Sequence, residues 1–278
     1  MDISLAKERA FHLAPKTTLE VARVRVDDKR TSLVAGMVGS LISRPKPEEI
    51  KLLSTENRLE AFWYVSISAR TVYDRSKSYT VAVGGPEVQR VTVLGQEVAV
   101  DAKSKTFVLN GVEHCLDERR VSSTFDGTSG QKTDFSKYLA FEKLEIPEAD
   151  KFLPEGILVA PPQMRATAVV RQVMSEVVKP VQAQTILEER VDVEAIDLFF
   201  RPVYAFEYEW TAKKKRAVIE YDALTGDTRT DGKKLGDQIK SMWTRDLLFD
   251  LTADAVGVVV PGGSIAVKLV KAVVDRKK

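Results

Sequence analysis

One cysteine and two histidines are the side chains of this sequence whose chemistry points most directly to catalysis. Glu113, His114 and Cys115 follow one another and supply a carboxylate, a base and a nucleophile. Consecutive side chains on a strand point to opposite faces of a sheet, so His114 is badly placed to activate Cys115. We interpret all three as structural or surface residues. Only His12 is left to reach Cys115 through the fold, and an enzyme with a spatially assembled site stays open as an alternative.

The same scarcity limits metal and redox chemistry. A single cysteine allows no disulfide within the chain, and one cysteine with two histidines is too small a ligand set for a conventional zinc site. The aspartates near turns do not follow the spacing of a calcium loop. We therefore expect no catalytic residue, no metal and no cofactor. Residues 1–10 interleave acids and bases without a secretory apolar run, and we expect a cytoplasmic setting.

A basic tetrapeptide is the best candidate for contacts with nucleic acid. Lys213, Lys214, Lys215 and Arg216 follow closely on two aromatic residues, whose rings are of the kind that stack on bases. The spacing is also that of a hairpin tip, and a formal net charge of +2 leaves little basic surplus for a phosphate track. We interpret the tetrapeptide as solvated turn residues and keep nucleic-acid binding as an alternative. The two aromatic residues are Tyr208 and Trp210.

The C-terminal segment joins an uncharged run to a basic end. Residues 255–267 carry no charge, and Lys268 and four further basic residues follow. The run is too short to cross a bilayer, which takes ~20 apolar residues. We favour a buried corner in which Ser264 caps a helix. A peripheral membrane or partner-binding tail stays open, as does an anion-binding nest at Gly262, Gly263 and Ser264.

The elements that position these residues show two periodicities. Apolar residues at helical spacing predict a helix over residues 33–42 and another over residues 163–179, which Pro180 ends. Alternating patterns predict neighbouring strands at 63–69 and 79–83. Four rings at a period of two, followed by a return strand, predict a hairpin, and we expect the helix at 163–179 to cover its aromatic face. The rings are Tyr204, Phe206, Tyr208 and Trp210.

Two similarities within the sequence suggest a repeated unit. Residues 50–63 and 191–204 both lead into an aromatic strand, at an offset of 141 residues. A second similarity, between residues 125–130 and 221–226, has an offset of 96 residues. We treat the two offsets as incompatible with one duplication and favour the offset of 141. A repeat of this kind indicates architecture and not shared chemistry.

Together these patterns predict an α+β fold with two helix-plus-antiparallel-sheet units and a C-terminal helical extension. The first unit spans residues 1–142, and a proline-rich connector spans residues 143–162. The second unit spans residues 163–235, and the apolar and glycine-containing extension spans residues 236–278.

The second unit resembles a PepSY-type module over residues 163–229. The resemblance rests on a helix followed by a hairpin that ends in VIEYDALTGD, residues 218–227. In this motif Asp222 can accept a hydrogen bond from the backbone two residues on, and Gly226 can supply a positive φ. The resemblance implies a small binding or regulatory unit without catalytic residues, often outside the cytoplasm. The sequence departs from that family in lacking an export signal.

The function predicted from these features is that of a non-catalytic cytoplasmic binding or scaffold protein acting through protein–protein contacts. Sheet surfaces and an apolar tail suit a protein partner, which we expect, whereas nucleic acid is not the partner we favour. Contact with a membrane surface through residues 255–278 stays open as an alternative. The binding residues under these interpretations are Tyr208, Trp210, Lys213, Lys214, Lys215, Arg216, Gly262, Gly263, Ser264 and Lys268.

Overall fold

The computed structural model describes most of the chain from Met1 to Thr230 and short pieces beyond. The described residues are 1–37, 45–148, 152, 154–160, 162–230, 232, 235, 249 and 268–270. They form one large mixed sheet, a small separate hairpin and two α-helices. The strands and helices are β1 Asp2–Leu5, β2 Arg9–Leu13, α1 Leu19–Met37, β3 Ile50–Ala82, β4 Arg90–Val93, β5 Gln96–Ala99, β6 Thr106–Asp126, β7 Lys143–Glu145, β8 Leu158–Ala160, α2 Ala166–Val177, β9 Thr185–Trp210, β10 Lys215–Asp222, β11 Thr228–Arg229 and β12 Lys268–Val270.

The two longest strands, β3 and β9, form the centre of the large sheet. They pair antiparallel from Ile50 opposite Trp210 to Asp74 opposite Thr185. The other edge of β9 pairs in turn with β1, β2 and β10, and the other edge of β3 pairs with β8 and then β6. The two neighbouring strands predicted in this region are one strand of 33 residues. Residues 70–78 contain neither glycine nor proline, so nothing turns the chain there.

The aromatic face of β9 is covered by α1 and not by α2. Its rings share a core cluster with Ala22, Val26 and Val34 of α1. The buried residues of α2 belong to a different cluster, which contains Trp63 and Val65 of β3. The predicted cover of the rings by the helix at 163–179 is therefore wrong. The strand just before each helix decides its position, because β8 pairs with β3 and β2 pairs with β9.

The predicted fold class is also wrong. The structure is mostly strand, and one mixed sheet of ten described strands runs through both predicted units, 1–142 and 163–235. The long pairing of β3 with β9 joins them into a single layer, and the predicted connector, 143–162, adds β7 and β8. In the predicted helical extension, 236–278, residues 268–270 form a strand that pairs with β1. Most of that extension lies outside the described residues.

The hairpins β3–β6 and β9–β10 make the same backbone contacts at corresponding positions. Phe62 lies opposite Asp126, and Val203 lies opposite Asp222. The first strands therefore correspond at an offset of 141 residues and the second strands at an offset of 96. The offset changes because the connection within β3–β6 is 45 residues longer. The sequence analysis was wrong to treat the two offsets as incompatible, since one pair of hairpins contains both.

The contact between β3 and β9 repeats in the same way. Leu53 of β3 and Glu194 of β9 are the bulged residues of the ladder, and they too lie 141 residues apart. Trp63 Nε1 donates to a backbone carbonyl just before α2 (3.0 Å), and the Tyr204 hydroxyl donates to one just before α1 (2.9 Å). Each helix is thus held at its start by a ring from the strand that it covers.

Candidate functional site

Tyr208 and Trp210 lie inside the core beneath α1. Their side chains are 0% and 2% exposed. The Tyr208 hydroxyl donates to Asp27 (2.6 Å), and Trp210 Nε1 donates to Glu49 (3.0 Å). Burial, and then the hydrogen bond to Asp27, raises the pKa of Tyr208 well above its usual range. Neither ring is accessible for stacking on a base.

The basic tetrapeptide lies where the hairpin tip was predicted. Lys213 and Lys214 belong to the turn between β9 and β10, and Lys215 and Arg216 begin β10. The Lys213 ammonium lies 4.2 Å from the centroid of the Trp210 ring. Arg216 forms an ion pair with a β9 carboxylate at 3.5 Å. These four side chains are exposed, as expected of solvated turn residues.

The candidate residues of the C-terminal segment are mostly out of view. Gly262, Gly263 and Ser264 lie outside the described residues. Lys268 is described through its backbone, which pairs with Asp2 in the parallel ladder of β12 and β1. The buried corner, the membrane tail and the anion-binding nest therefore stay predictions.

The histidines and the cysteine occupy different parts of the sheet. His12 lies on β2 opposite Phe200, and burial lowers its pKa. Cys115 lies on β6, where its thiol contacts the Glu113 carbonyl at 3.7 Å. His114 Nδ1 is 2.7 Å from Asp74 Oδ1. The structure does not bring His12 to Cys115. Within the described part of the chain, no group of three or more His, Cys, Asp and Glu side chains is arranged to hold a metal ion.

A network of buried charges lies on the sheet face opposite the helices. Arg58 of β3 and Arg201 of β9 are 1% and 4% exposed. Arg58 forms ion pairs with Glu60 (2.9 Å) and with Glu220. Arg201 forms ion pairs with Asp222 (2.9 Å) and with Glu60. A buried guanidinium needs such partners, because leaving its charge uncompensated is strongly destabilising.

A cavity of about 240 Å³ adjoins this network. The Tyr138 hydroxyl donates to Asp222, and burial followed by this bond raises the pKa of Tyr138. Burial alone would lower the pKa of Arg201, but the neighbouring carboxylates outweigh it and raise that pKa. At the rim, Lys137 pairs with Asp227 (3.0 Å) and Arg229 with a network carboxylate (3.0 Å). The cations that line the cavity are thus already compensated by protein carboxylates.

The sequence analysis missed this network, although one signal of it is present. Charged residues at positions 56, 58 and 60 alternate with polar or apolar ones up to Phe62, so a strand must place the charges on one face. Arg201 interrupts an apolar run in the same way. What the sequence does not show is the partner, because Arg58 and Glu220 lie 162 residues apart.

The most exposed part of the described structure is the outer half of the β3–β6 hairpin. We name it the ribbon and define it as residues 75–82 and 106–113, which continue beyond the last pair of β3 with β9. The small hairpin β4–β5 lies between its two strands in the chain. Aliphatic side chains on the ribbon are exposed, among them Val108 and Val112 at 48% and 53%.

One edge of β6 is unpaired in the described structure. Among the described strands, β6 pairs only with β3. We name the opposite side, over residues 108–123, the β6 edge. Every second residue from Val108 to Ser122 is exposed, including Leu116 at 56%. Unpaired N–H and C=O groups along such an edge form a template for another strand.

Comparison with known proteins found no matching family model, no matching curated protein and no matching solved structure. The PepSY-type resemblance over residues 163–229 therefore stays a prediction. Its local geometry is confirmed, since Asp222 accepts a hydrogen bond from the Leu224 N–H (2.9 Å) and Gly226 has a φ of 79°. No described helix is long and apolar enough to cross a membrane.

Proposed function

We propose that this is a non-catalytic cytoplasmic binding or scaffold protein that acts through protein–protein contacts at the β6 edge. The observation that carries the proposal is the long unpaired edge of β6, with exposed aliphatic side chains beside it. The cytoplasmic setting rests on the single cysteine and is part of the same proposal.

The β6 edge offers a protein partner two kinds of contact. Backbone N–H and C=O groups can bond to an added strand, which gives affinity without requiring a particular sequence. Val108, Val112 and Leu116 recur at every fourth residue on one face and can pack against that strand. Glu118 and Arg120 are exposed on the same face and disfavour strands without complementary charges.

The ionisable groups in the interior support the same function. Arg58 and Arg201 are held by carboxylates of the fold, and Tyr208 donates to Asp27. Groups committed in this way stabilise the sheet, and their charges are not directed at a substrate. The β6 edge, by contrast, exposes polar backbone and apolar side chains together.

A site-specific photocrosslinker tests the proposal in the full chain. Placed at Val112 on the β6 edge and expressed in the cells of origin, it should yield discrete protein adducts that mass spectrometry can identify. The matched control is the same group at Lys214, on the exposed tip of β9–β10. Adding lysine at the edge through Leu116→Lys should remove the Val112 adducts. Equal adducts from Val112 and Lys214, or adducts that survive Leu116→Lys, would refute the proposal.

A further inference from the structure

We infer that the partner strand at the β6 edge is the β6 edge of a second copy of this chain, paired antiparallel about a two-fold axis at Leu116. The inference rests on the proposed function, because it takes the β6 edge as the contact surface. A two-fold interface uses the same surface on both copies, so the edge must be complementary to itself.

The charges along β6 provide this complementarity in one register. With Leu116 opposite its own copy, residues at equal distances on either side face each other. Arg119 then lies opposite Glu113, and Glu118 lies opposite His114. The symmetry produces each pair twice. Opposite charges at facing positions of an antiparallel ladder are stabilising, and like charges there are destabilising.

Neighbouring registers lose the match. An axis at Cys115 places Asp117 opposite Glu113, which sets two carboxylates against each other. An axis at Asp117 or at Glu118 sets that carboxylate against its own copy. An axis between two residues is excluded, because facing residues of a ladder must point to the same side of the sheet. Among these alternatives, only Leu116 avoids facing like charges.

The fold limits the paired segment to a length that agrees with this axis. The Thr124 carbonyl already accepts a hydrogen bond from the Thr133 N–H (3.1 Å), so the free edge ends just before it. A ladder centred on Leu116 can therefore run from Asn110 to Ser122. It would make the two ten-stranded sheets continuous across the interface.

An apolar row crosses the proposed interface at its centre. Val72 of β3 lies opposite Leu116 in the ladder of each copy. In the pair, the side chains run Val72, Leu116, Leu116 and Val72 across four adjacent strands. Val112 lies opposite Arg120 of the other copy, and the aliphatic part of an arginine can cover a valine. The exposed Leu116 side chain is thus buried by its own copy.

Disulfide trapping tests the register directly. In Cys115→Ala/Leu116→Cys, the two new thiols face each other across the axis, and mild oxidation should give a covalent dimer. In the matched control Cys115→Ala/Val112→Cys, each thiol faces Arg120 and no covalent dimer should form. Circular dichroism checks that both variants fold. Equal trapping of both variants, or of neither, would overturn the register.

Sedimentation velocity on the full chain tests the charge pairs. Arg119→Glu sets two carboxylates against each other twice, and we expect the dimer to weaken about tenfold. The exchange Glu113→Arg/Arg119→Glu should restore it. A native chain that stays monomeric at all concentrations would overturn self-pairing. If Val112 crosslinks to a different protein, the proposed function stands while the inference fails, and if no adducts form, both fail.

Discussion

The hairpins β3–β6 and β9–β10 begin alike and end differently. At their base, Asp126 and Asp222 each accept hydrogen bonds from the backbone N–H groups two and three residues on. Gly130 and Gly226 close the two turns with φ angles of 71° and 79°. At the other end, β9–β10 stops at a short tip beneath α1, whereas β3–β6 continues into the ribbon. What the hairpins share builds the core, and what β3–β6 adds is free to make contacts.

The equivalent aspartates give the largest expected difference between the hairpins. Asp222 is buried and also pairs with Arg201 (2.9 Å), so Asp222→Ala removes a buried charge from the network. We expect a loss of ~3–5 kcal/mol in the free energy of unfolding. Asp126 makes only turn contacts and is less buried, so Asp126→Ala should cost about 1 kcal/mol. Urea unfolding of both variants measures the difference, and equal losses would contradict it.

A pair of valines tests whether the outer part of β3–β6 contributes to the core. Val65 of β3 is 0% exposed, and Val108 on the ribbon is 48% exposed. Val65→Ala should lower the free energy of unfolding by about 2–3 kcal/mol, because buried methyl groups are lost and a cavity is left. Val108→Ala should change it by no more than about 0.5 kcal/mol. Thermal and urea unfolding check both. A large effect at Val108 would show that the ribbon packs against a further part of the chain.

Local features of this fold were predictable from the sequence. The strand alternation around Trp63, the helix that contains Ala166–Val177 and the β9–β10 hairpin all follow from short-range periodicity. The turn at Asp222 followed from residue types alone. In each case the pattern is set by neighbours in the chain, which the sequence displays directly.

Longer-range features were not predictable. The helix predicted over residues 33–42 begins much earlier, at Leu19. Its first part mixes charges with exposed apolar residues such as Val24, so no clean stripe marks it. Which helix covers which hairpin depends on strand pairing between distant segments. The β6 edge was hidden for the same reason, because an unpaired edge is recognised only when the other strands have been placed.

Acidic pH should separate a core carboxylate from an exposed one. Burial raises the pKa of Asp197 above its ordinary value of 3.8, although Arg9 opposes the shift at 2.9 Å. A raised pKa in the folded state stabilises the protein below the unfolded pKa, and this stability is lost as pH rises through the folded pKa. The native chain should therefore lose stability relative to Asp197→Asn as pH rises from below 3.8. Urea unfolding over a pH series measures this, and a constant difference would contradict it.

On the ribbon the sign should reverse and the effect should be smallest. Hydrogen bonds from Tyr79 and then Arg75 lower the pKa of Glu113 below its ordinary value of 4.5. The stability that this carboxylate contributes is present above pH 4.5 and is lost as pH falls through the folded pKa. Because the group is exposed, water screens the contact, and the ribbon can open while the core stays folded.

Hydrogen exchange read by mass spectrometry can resolve this local effect at a concentration where the chain is monomeric. Protection of peptides over residues 75–82 and 106–113 should fall with pH in the native chain, and Glu113→Gln should flatten that dependence. Peptides around Val65 serve as the internal control and should keep their protection in both proteins. If those core peptides lost protection together with the ribbon, the two ends of β3–β6 would unfold as one unit. The division between a shared core and a free extension would then be wrong.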